Sequence, residues 1–208
     1  MSSLISILSG SYAVKYKSPN FPLSIVISIM SLPTQQRISN IKYSCQLKEK
    51  SGDLRNTLKQ FCRENSSVTV RQPNFFVLRK TYVYVIFFTG HVNVTGCSSV
   101  EAISLSRNIL LQCLGARVEI GKITVDNITS SGAINRVKKI RLPELAQKLK
   151  RLELPFRYNP HRFPGLNFKL KSVTVIVFNS GKFILVGSKS MIEIEESVQQ
   201  FCNVILHD

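Results

Sequence analysis

The sequence predicts an α+β fold made by tandem duplication, each unit running strand, helix, three strands, helix. Three observations carry this reading. Period-2 apolar runs, the mark of half-buried strands, alternate along the chain with stripes at helical spacing. Two helix starts carry the Ser-x-x-Glu capping signature, Ser98 to Glu101 and Ser190 to Glu193. Finally, VIFFTGHVNVTG (85–96) aligns with IVFNSGKFILVG (176–187) at a constant offset of 91, pairing Phe87 with Phe178, Gly90 with Gly181 and Gly96 with Gly187. Each of these segments leads into a capped helix, so strand, turn and helix signals repeat together.

The elements follow in order. Leu23, Ile25, Ile27 and Ile29 alternate with Ser24, Val26 and Ser28 as a strand does, and Pro33 ends that run. A strand over Ile38–Leu47 precedes a short helix on which Leu54, Leu58 and Phe61 share one face. Strands then fall at Phe75–Leu78, Tyr82–Phe88 and VNVTG, with tight turns at Arg79-Lys80-Thr81 and Thr89-Gly90. The helix after Ser98 carries Val100, Ile103, Ile109, Leu110 and Cys113. The second unit opens with a strand over Val118–Thr129. Its helix starts at Leu142-Pro143, where proline suits the first turn, shows Leu145, Leu149 and Leu152 on one face, and stops before Pro155. Residues 158–187 supply three strands, and Ile194, Val198, Phe201 and Ile205 form the stripe of the last helix. The expected organisation is an N-terminal extension over 1–37, a first repeat over 38–115 and a second over 116–208.

Composition narrows the function. The 208 residues are 44% apolar, enough for a core, yet carry a formal net charge of +16. Such an excess attracts polyanions, so nucleic acid is the first partner expected, although ribosomal and membrane-surface proteins share the trait. Between Arg136 and Lys171, eleven Lys or Arg stand against Glu144 and Glu153. Five scattered cysteines without a CxxC pair, and three distant histidines, argue against a disulfide framework and against a zinc or other metal centre. The apolar run 21–32 is broken by serines and too short to span a bilayer. An intracellular protein is therefore expected, in which the Asn-x-Ser/Thr sequences at Asn65, Asn93 and Asn127 go unused as glycosylation sites. No cofactor and no membrane association are expected.

The segments RYNPHRFPGL and VFNSGKFILVGSK, closed by an amphipathic helix, resemble the second repeat of the TATA-box-binding protein family. SNIKYS (39–44) and IFFTGHVNVTG resemble the first repeat more weakly, and together the likeness runs over about residues 38–206. The resemblance implies a saddle: one curved antiparallel sheet from two pseudo-symmetric repeats, helices on the convex face and DNA under the concave face. It also implies a role as a transcription initiation factor that binds and bends A·T-rich promoter DNA through the minor groove. No enzymatic activity is expected, since no helix-hairpin-helix, carboxylate cluster or Lys/Asp constellation accompanies the repeats.

The site follows by the same resemblance. Phe163 and Phe178 are the second-repeat pair of aromatic wedges that insert between base steps, where opening a step costs a few kcal/mol recovered by wrapping bent duplex. Phe87 is one wedge of the first repeat, with Phe76 as its partner and Phe75 as the alternative. On periodicity alone all four read rather as core aromatics of a mixed sheet, and it is the motif that favours wedges. Asn40 and Asn127 match asparagines at the middle of the concave face, where a carboxamide meets the acceptors common to A·T and T·A pairs. Lys42 and Thr129 beside them replace small apolar residues. Ile184 and Val186 keep the smooth floor of the second half, whereas Asn93 and Thr95 make the first half more polar. Lys169, Lys182 and Lys189 match phosphate-approaching positions, and the equivalents of the last two in the first repeat are His91 and Ser98, which implies a lopsided grip.

Two departures modify these expectations. The turns at Arg79-Lys80-Thr81 and Lys171-Ser172 are short, which reads as trimming of the loops, or stirrups, that flank DNA in the family. In YNPHRF, His161 and Arg162 stand where the family carries acidic residues that recruit the bridge to RNA polymerase. A transcription factor or polymerase component is expected as partner, engaged by something other than an acidic stirrup. Such divergence suits a relative encoded by a large DNA virus, placing the protein in a nucleus or a cytoplasmic viral factory. A second reading is a saddle-fold protein-interaction scaffold that has lost or altered DNA binding, which an exposed apolar floor also fits.

Overall fold

A computed structural model of the chain describes residues 34–50, 52–71, 73–134 and 139–206. The strand expected at Leu23–Ile29 lies outside the described residues. The first strand, β1 (Thr34–Glu49), begins four residues before the expected Ile38. It is followed by α1 (Leu54–Glu64), β2 (Val68–Arg71), β3 (Phe75–Arg79), β4 (Val83–Phe87), β5 (His91–Cys97) and α2 (Val100–Leu114). The order then recurs as β6 (Val118–Ile120), β7 (Thr124–Ile134), α3 (Leu142–Arg151), β8 (Phe156–Arg157), β9 (Leu166–Leu170), β10 (Val173–Val177), β11 (Lys182–Ser188) and α4 (Met191–Leu206).

The strands form one antiparallel sheet in the order β2-β3-β4-β5-β1-β7-β11-β10-β9-β8, with β6 attached to the far end of β1. The order is symmetric about the β1–β7 pair, whose ladder runs from Thr34 opposite Ile134 to Ser44 opposite Thr124. The 91-residue offset is realised in three dimensions. Gly90 and Gly181 both turn back to donate their N–H to Phe87 O (2.8 Å) and Phe178 O (2.9 Å). Gly96 and Gly187, at φ +106° and +111°, hold equivalent places near the ends of β5 and β11. Only glycine enters that backbone region without strain.

Strand alternation assigns the two faces. Tyr84, Ile86, Val92 and Val94 are fully buried, as are Val173, Val175, Phe183 and Leu185, and their neighbours in sequence are half-buried or exposed. The helices cover the buried face. Phe61 of α1 meets Phe76, with ring centroids 5.9 Å apart, and Phe201 of α4 meets Phe183 at 4.8 Å and Phe168 at 6.2 Å. On α2 the buried hub is Ser106, whose hydroxyl shares a 2.7 Å hydrogen bond with the Tyr43 hydroxyl while its carbonyl accepts from the Tyr84 hydroxyl at 2.9 Å. Burial pushes the Tyr43 phenol up to about 12, a rise the Ser106 bond partly offsets. All five cysteines are free thiols.

Several expectations change. Ser99, not Ser98, caps α2 by accepting the Ala102 N–H at 3.1 Å. At α4 the Glu193 N–H donates to the Ser190 hydroxyl at 3.1 Å, but the Glu193 carboxylate reaches back to the Lys189 N–H (2.8 Å) rather than to the cap itself. Val100 and Leu152 are exposed, at 65% and 50%, so neither belongs to its helix's apolar stripe. The stretch expected as one strand over Val118–Thr129 is two, β6 and β7. Edge strands β2 and β8 are additions to the expected elements, and they move the loops in question. The β8–β9 loop is eight residues, Tyr158 to Gly165, and the matching β2–β3 connection spans only residues 72–74. The short turns at 79–81 and 171–172 are thus hairpin ends between β3 and β4 and between β9 and β10, and the longer loop of the second half is Tyr158–Gly165.

Candidate nucleic-acid interface

The face opposite the helices is open. Its second half presents Thr174, Ile176, Ile184 and Val186, which adjoin through the registers Ile176 to Ile184 and Thr174 to Val186. The first half presents Val77, Val83 and Val85 beside Asn93 and Thr95, through the registers Val85 to Asn93 and Val83 to Thr95. Both halves are floored by β-branched side chains, and the first is the more polar.

At the outer end of the second half, Phe163 stands 41% exposed against Phe178, centroids 5.8 Å apart and planes at 60°. The loop that delivers it is folded by Asn159. The Asn159 carbonyl accepts the N–H groups of Arg162 (3.1 Å) and Phe163 (3.0 Å), and its side-chain oxygen accepts the His161 N–H at 3.2 Å. Asparagine followed by proline is what such a turn requires. Gly165 lies beneath the two rings. A Cβ there would come within 2.6 Å of Phe163 Cε1 and 3.0 Å of Phe178 Cε1. The Pro-Gly pair thus makes room for the Phe163 ring within the protein itself.

The first half builds its pair differently, and here one expected residue is corrected. Phe76 is fully buried on the helical face between Phe61 and Phe88 and cannot partner Phe87. The partner is Phe75, directly opposite Phe87 in the β3–β4 ladder with centroids 5.4 Å apart. Extending the β9–β10 register by one pair puts Gly165 opposite Phe178, so Phe75 occupies the place that the second half gives to glycine. The His91 ring lies on the other side of Phe87 at 5.8 Å.

At the centre the two asparagines are fixed alike. Asn40 Oδ1 accepts the Gly96 N–H, and Asn127 Oδ1 accepts the Gly187 N–H, each at 2.8 Å. A backbone N–H can only donate, so each amide is oriented with its oxygen inward, leaving Nδ2 as the group on offer. Thr95 adds a second donor to Asn40 Oδ1 at 3.1 Å, and Asn127 Nδ2 donates one hydrogen to Thr129 Oγ1 at 3.1 Å. Thr129 lies opposite Asn40 and Lys42 opposite Asn127, so one exposed ammonium stands in the middle of the face.

Lys169 and Lys182 are exposed on open-face positions of β9 and β11. Lys189 is exposed just before α4, where the Glu193 carboxylate that accepts its N–H is held below the usual carboxylate range, chiefly by the Ser172 hydroxyl. Two further residues join the site without a signal in the sequence pattern. Arg37 and Gln36 of β1, with Lys182 and Phe178, line a hollow of about 560 Å³. The long central strand brings Arg37 there, and its signal is lost because β1 starts earlier than its apolar alternation. Among the described residues no group of His, Cys, Asp and Glu is placed to hold a metal ion, and no helix is long and apolar enough to cross a membrane.

Comparison with known proteins agrees with this geometry. The family described as Transcription factor TFIID (or TATA-binding protein, TBP) matches residues 122–207. The TATA-box-binding protein of Methanothrix thermoacetophila is 31% identical over 126 residues, covering 56% of this chain and 65% of that protein. That of Thermococcus celer is 33% identical over 122 residues, covering 56% and 61%. The chain thus matches slightly less than two thirds of the length of these relatives. Among solved structures, Methanococcus jannaschii TBP superposes with a TM-score of 0.66 over 82% of this chain and 98% of its own, at 22% identity, which establishes the saddle-like α+β fold. Motif, family match over residues 122–207 and architecture agree in making this chain similar to the TATA-box-binding protein family.

Proposed function

We propose that the protein is a transcription initiation factor that binds A·T-rich duplex DNA on its open face and bends it through the minor groove, with residues 38–115 and 116–208 acting as the two halves. The observation that carries the reading is the open face itself. It has an aromatic pair at each end, Phe75–Phe87 and Phe163–Phe178, and a pair of asparagines at the centre with donors left to offer. The apolar floor suits the edges of sugars and bases, and the rings act as wedges whose unstacking cost is offset by wrapped surface. Donors at the centre meet adenine N3 and thymine O2, acceptors that both orientations of an A·T pair share. Lys169, Lys182 and Lys189, with Arg37 beside Phe178, supply contacts to phosphates.

The likeness to TATA-box-binding proteins supports an intracellular site of action and a partner in the initiation machinery. With His161 and Arg162 exposed on the Tyr158–Gly165 loop, that partner meets a basic rather than an acidic stirrup. The test is a titration of the full chain on A·T-rich and G·C-rich duplexes of equal length, with end-to-end energy transfer reporting the bend. Preference for A·T-rich duplex with a bend is expected. Absence of binding at low salt overturns the reading and favours a scaffold.

A further inference from the structure

We propose that the groove between α1 and edge strand β2, on the helical side of the sheet, docks an acidic segment of a partner protein through paired carboxylates and one apolar anchor. Arg55, Lys59 and Arg63 recur at i, i+4 and i+8 on α1, so they form a single row along the helix, and all three are exposed. Among the described residues none of the three has an ion-pair partner. The carboxylates of this region are engaged elsewhere: Asp53 accepts the Arg55 N–H as the helix cap, Glu49 accepts the Thr57 hydroxyl, and Glu64 accepts from Gln60. The row borders a hollow of about 380 Å³, a size typical of sites that take up a side chain or small ligand. Its remaining walls are Cys62, Val70, Pro73 and Phe88, and among the described residues no carboxylate lines it.

Two features select the occupant. A row of cations with no acidic residue lining its groove calls for an anion, and repetition at one helical turn calls for several in register. The apolar wall calls for a hydrocarbon or aromatic side chain on the same ligand. A nucleic-acid backbone supplies the first and not the second, whereas an acidic peptide with one large apolar residue supplies both. The position separates this site from the DNA face. Phe88 packs on Phe76, which is buried under α1, while Phe75 and Phe87 face the other way. An occupant of the groove leaves the open face free, so the chain can hold a duplex and a partner at once. The proposal stands whether or not the open face binds DNA.

The experiment uses the full chain and a fluorescein-labelled peptide with Glu at every fourth position and one central Phe, read by anisotropy at low salt. The peptide is expected to bind. The Arg55→Glu, Lys59→Glu, Arg63→Glu variant is expected to weaken it by roughly tenfold or more. Replacing the peptide Phe by Ser is expected to weaken it as well. The milder Arg55→Gln, Lys59→Gln, Arg63→Gln variant gives the same readout should charge reversal disturb folding. An A·T-rich duplex measured on the same variants separates the two sites, and duplex and peptide are expected to bind together. No peptide binding, binding indifferent to the α1 substitutions, or displacement of peptide by duplex would each overturn the proposal. Equal loss of peptide and duplex would make the row a nucleic-acid surface instead.

Discussion

Phe75 stands opposite Phe87 in the β3–β4 ladder with ring centroids 5.4 Å apart, at a place where the second half of the molecule has Gly165. The two ends of the open face therefore present aromatic pairs of different construction, one from two adjoining strands and one from a strand and a loop. Phe75→Ala and Phe76→Ala separate wedge from core. Phe76 is fully buried, and its truncation is expected to cost about 3–5 kcal/mol of stability, seen as a large fall in melting temperature. Phe75→Ala is expected to leave melting almost unchanged and to reduce the DNA bend. The reverse pattern would return Phe75 to the core.

Gly165→Ala tests the second pair. The added Cβ conflicts with the edges of Phe163 and Phe178, but Phe163 is 41% exposed on a loop and can swing away. Because Gly165 is itself buried and the new methyl also meets Phe178, a stability loss of up to about 1–3 kcal/mol, the range of overpacking, is expected. Bending by energy transfer is expected to fall, because the displaced ring no longer stands against Phe178. Unchanged bending would show that the packing of the two rings over glycine is irrelevant to the wedge.

Much of the architecture is legible in the sequence because the signals are redundant: Gly90 and Gly181 close equivalent turns, and Leu58, Leu149 and Val198 sit on stripes that the helices do bury. Short elements and parity are not legible in this way. Strands β2 and β8, of four and two residues, are too brief to show an alternation, so the pattern misassigns the loops beside them. The doubled FFVL shifts every side chain to the opposite face if register slips by one, and only the hairpin pairing of Arg79 with Val83 settles that Phe75 is the open-face residue. The bonds that orient Asn40 and Asn127 depend on glycines more than fifty residues away, which no local pattern encodes.

Buried thiols and phenols make the fold sensitive to base. Burial raises Cys45 and Cys202 from 9.0 to about 11 and Tyr43 from 10.0 to about 12, and it raises Tyr84 as well. Each folded-state value lies above its unfolded value, so folding favours the neutral form. That contribution is complete below about pH 9 and is lost as pH climbs through 11 to 12. Far-UV circular dichroism is expected to show cooperative unfolding in that window. A flat signal past pH 12 would contradict the burial of these groups.

Replacing Lys169 and Lys182 together is expected to weaken binding to all duplexes, because both are exposed cations on the open side and neither has an ion-pair partner among the described residues. The slope of log affinity against log salt should flatten by about 0.9 for each phosphate no longer neutralised. Preference for A·T-rich over G·C-rich duplex should persist, since phosphate contacts carry no base information. A loss of preference with an unchanged slope would assign these lysines to base edges.

The central asparagines allow the sharpest separation of fold from recognition. Asn127→Asp keeps an oxygen to accept the Gly187 N–H and removes the amide donor, and Asn40→Asp does the same toward Gly96. Stability is expected to hold, since the bond anchoring each side chain survives and becomes charge-assisted. Binding is expected to fall steeply, because a carboxylate now faces the minor-groove acceptors and phosphates where a donor stood. Asn127→Ala gives the complement. It leaves the Gly187 N–H without its acceptor, at a cost of about 1–3 kcal/mol if no water replaces it, and adds no repulsion. The aspartate variants should therefore be the more stable and the weaker binders, and alanine the less stable and the milder in affinity, in paired melting and gel-shift titrations. If both substitutions instead lower stability and affinity in proportion, the asparagines serve the fold alone and the central contact must come from Lys42.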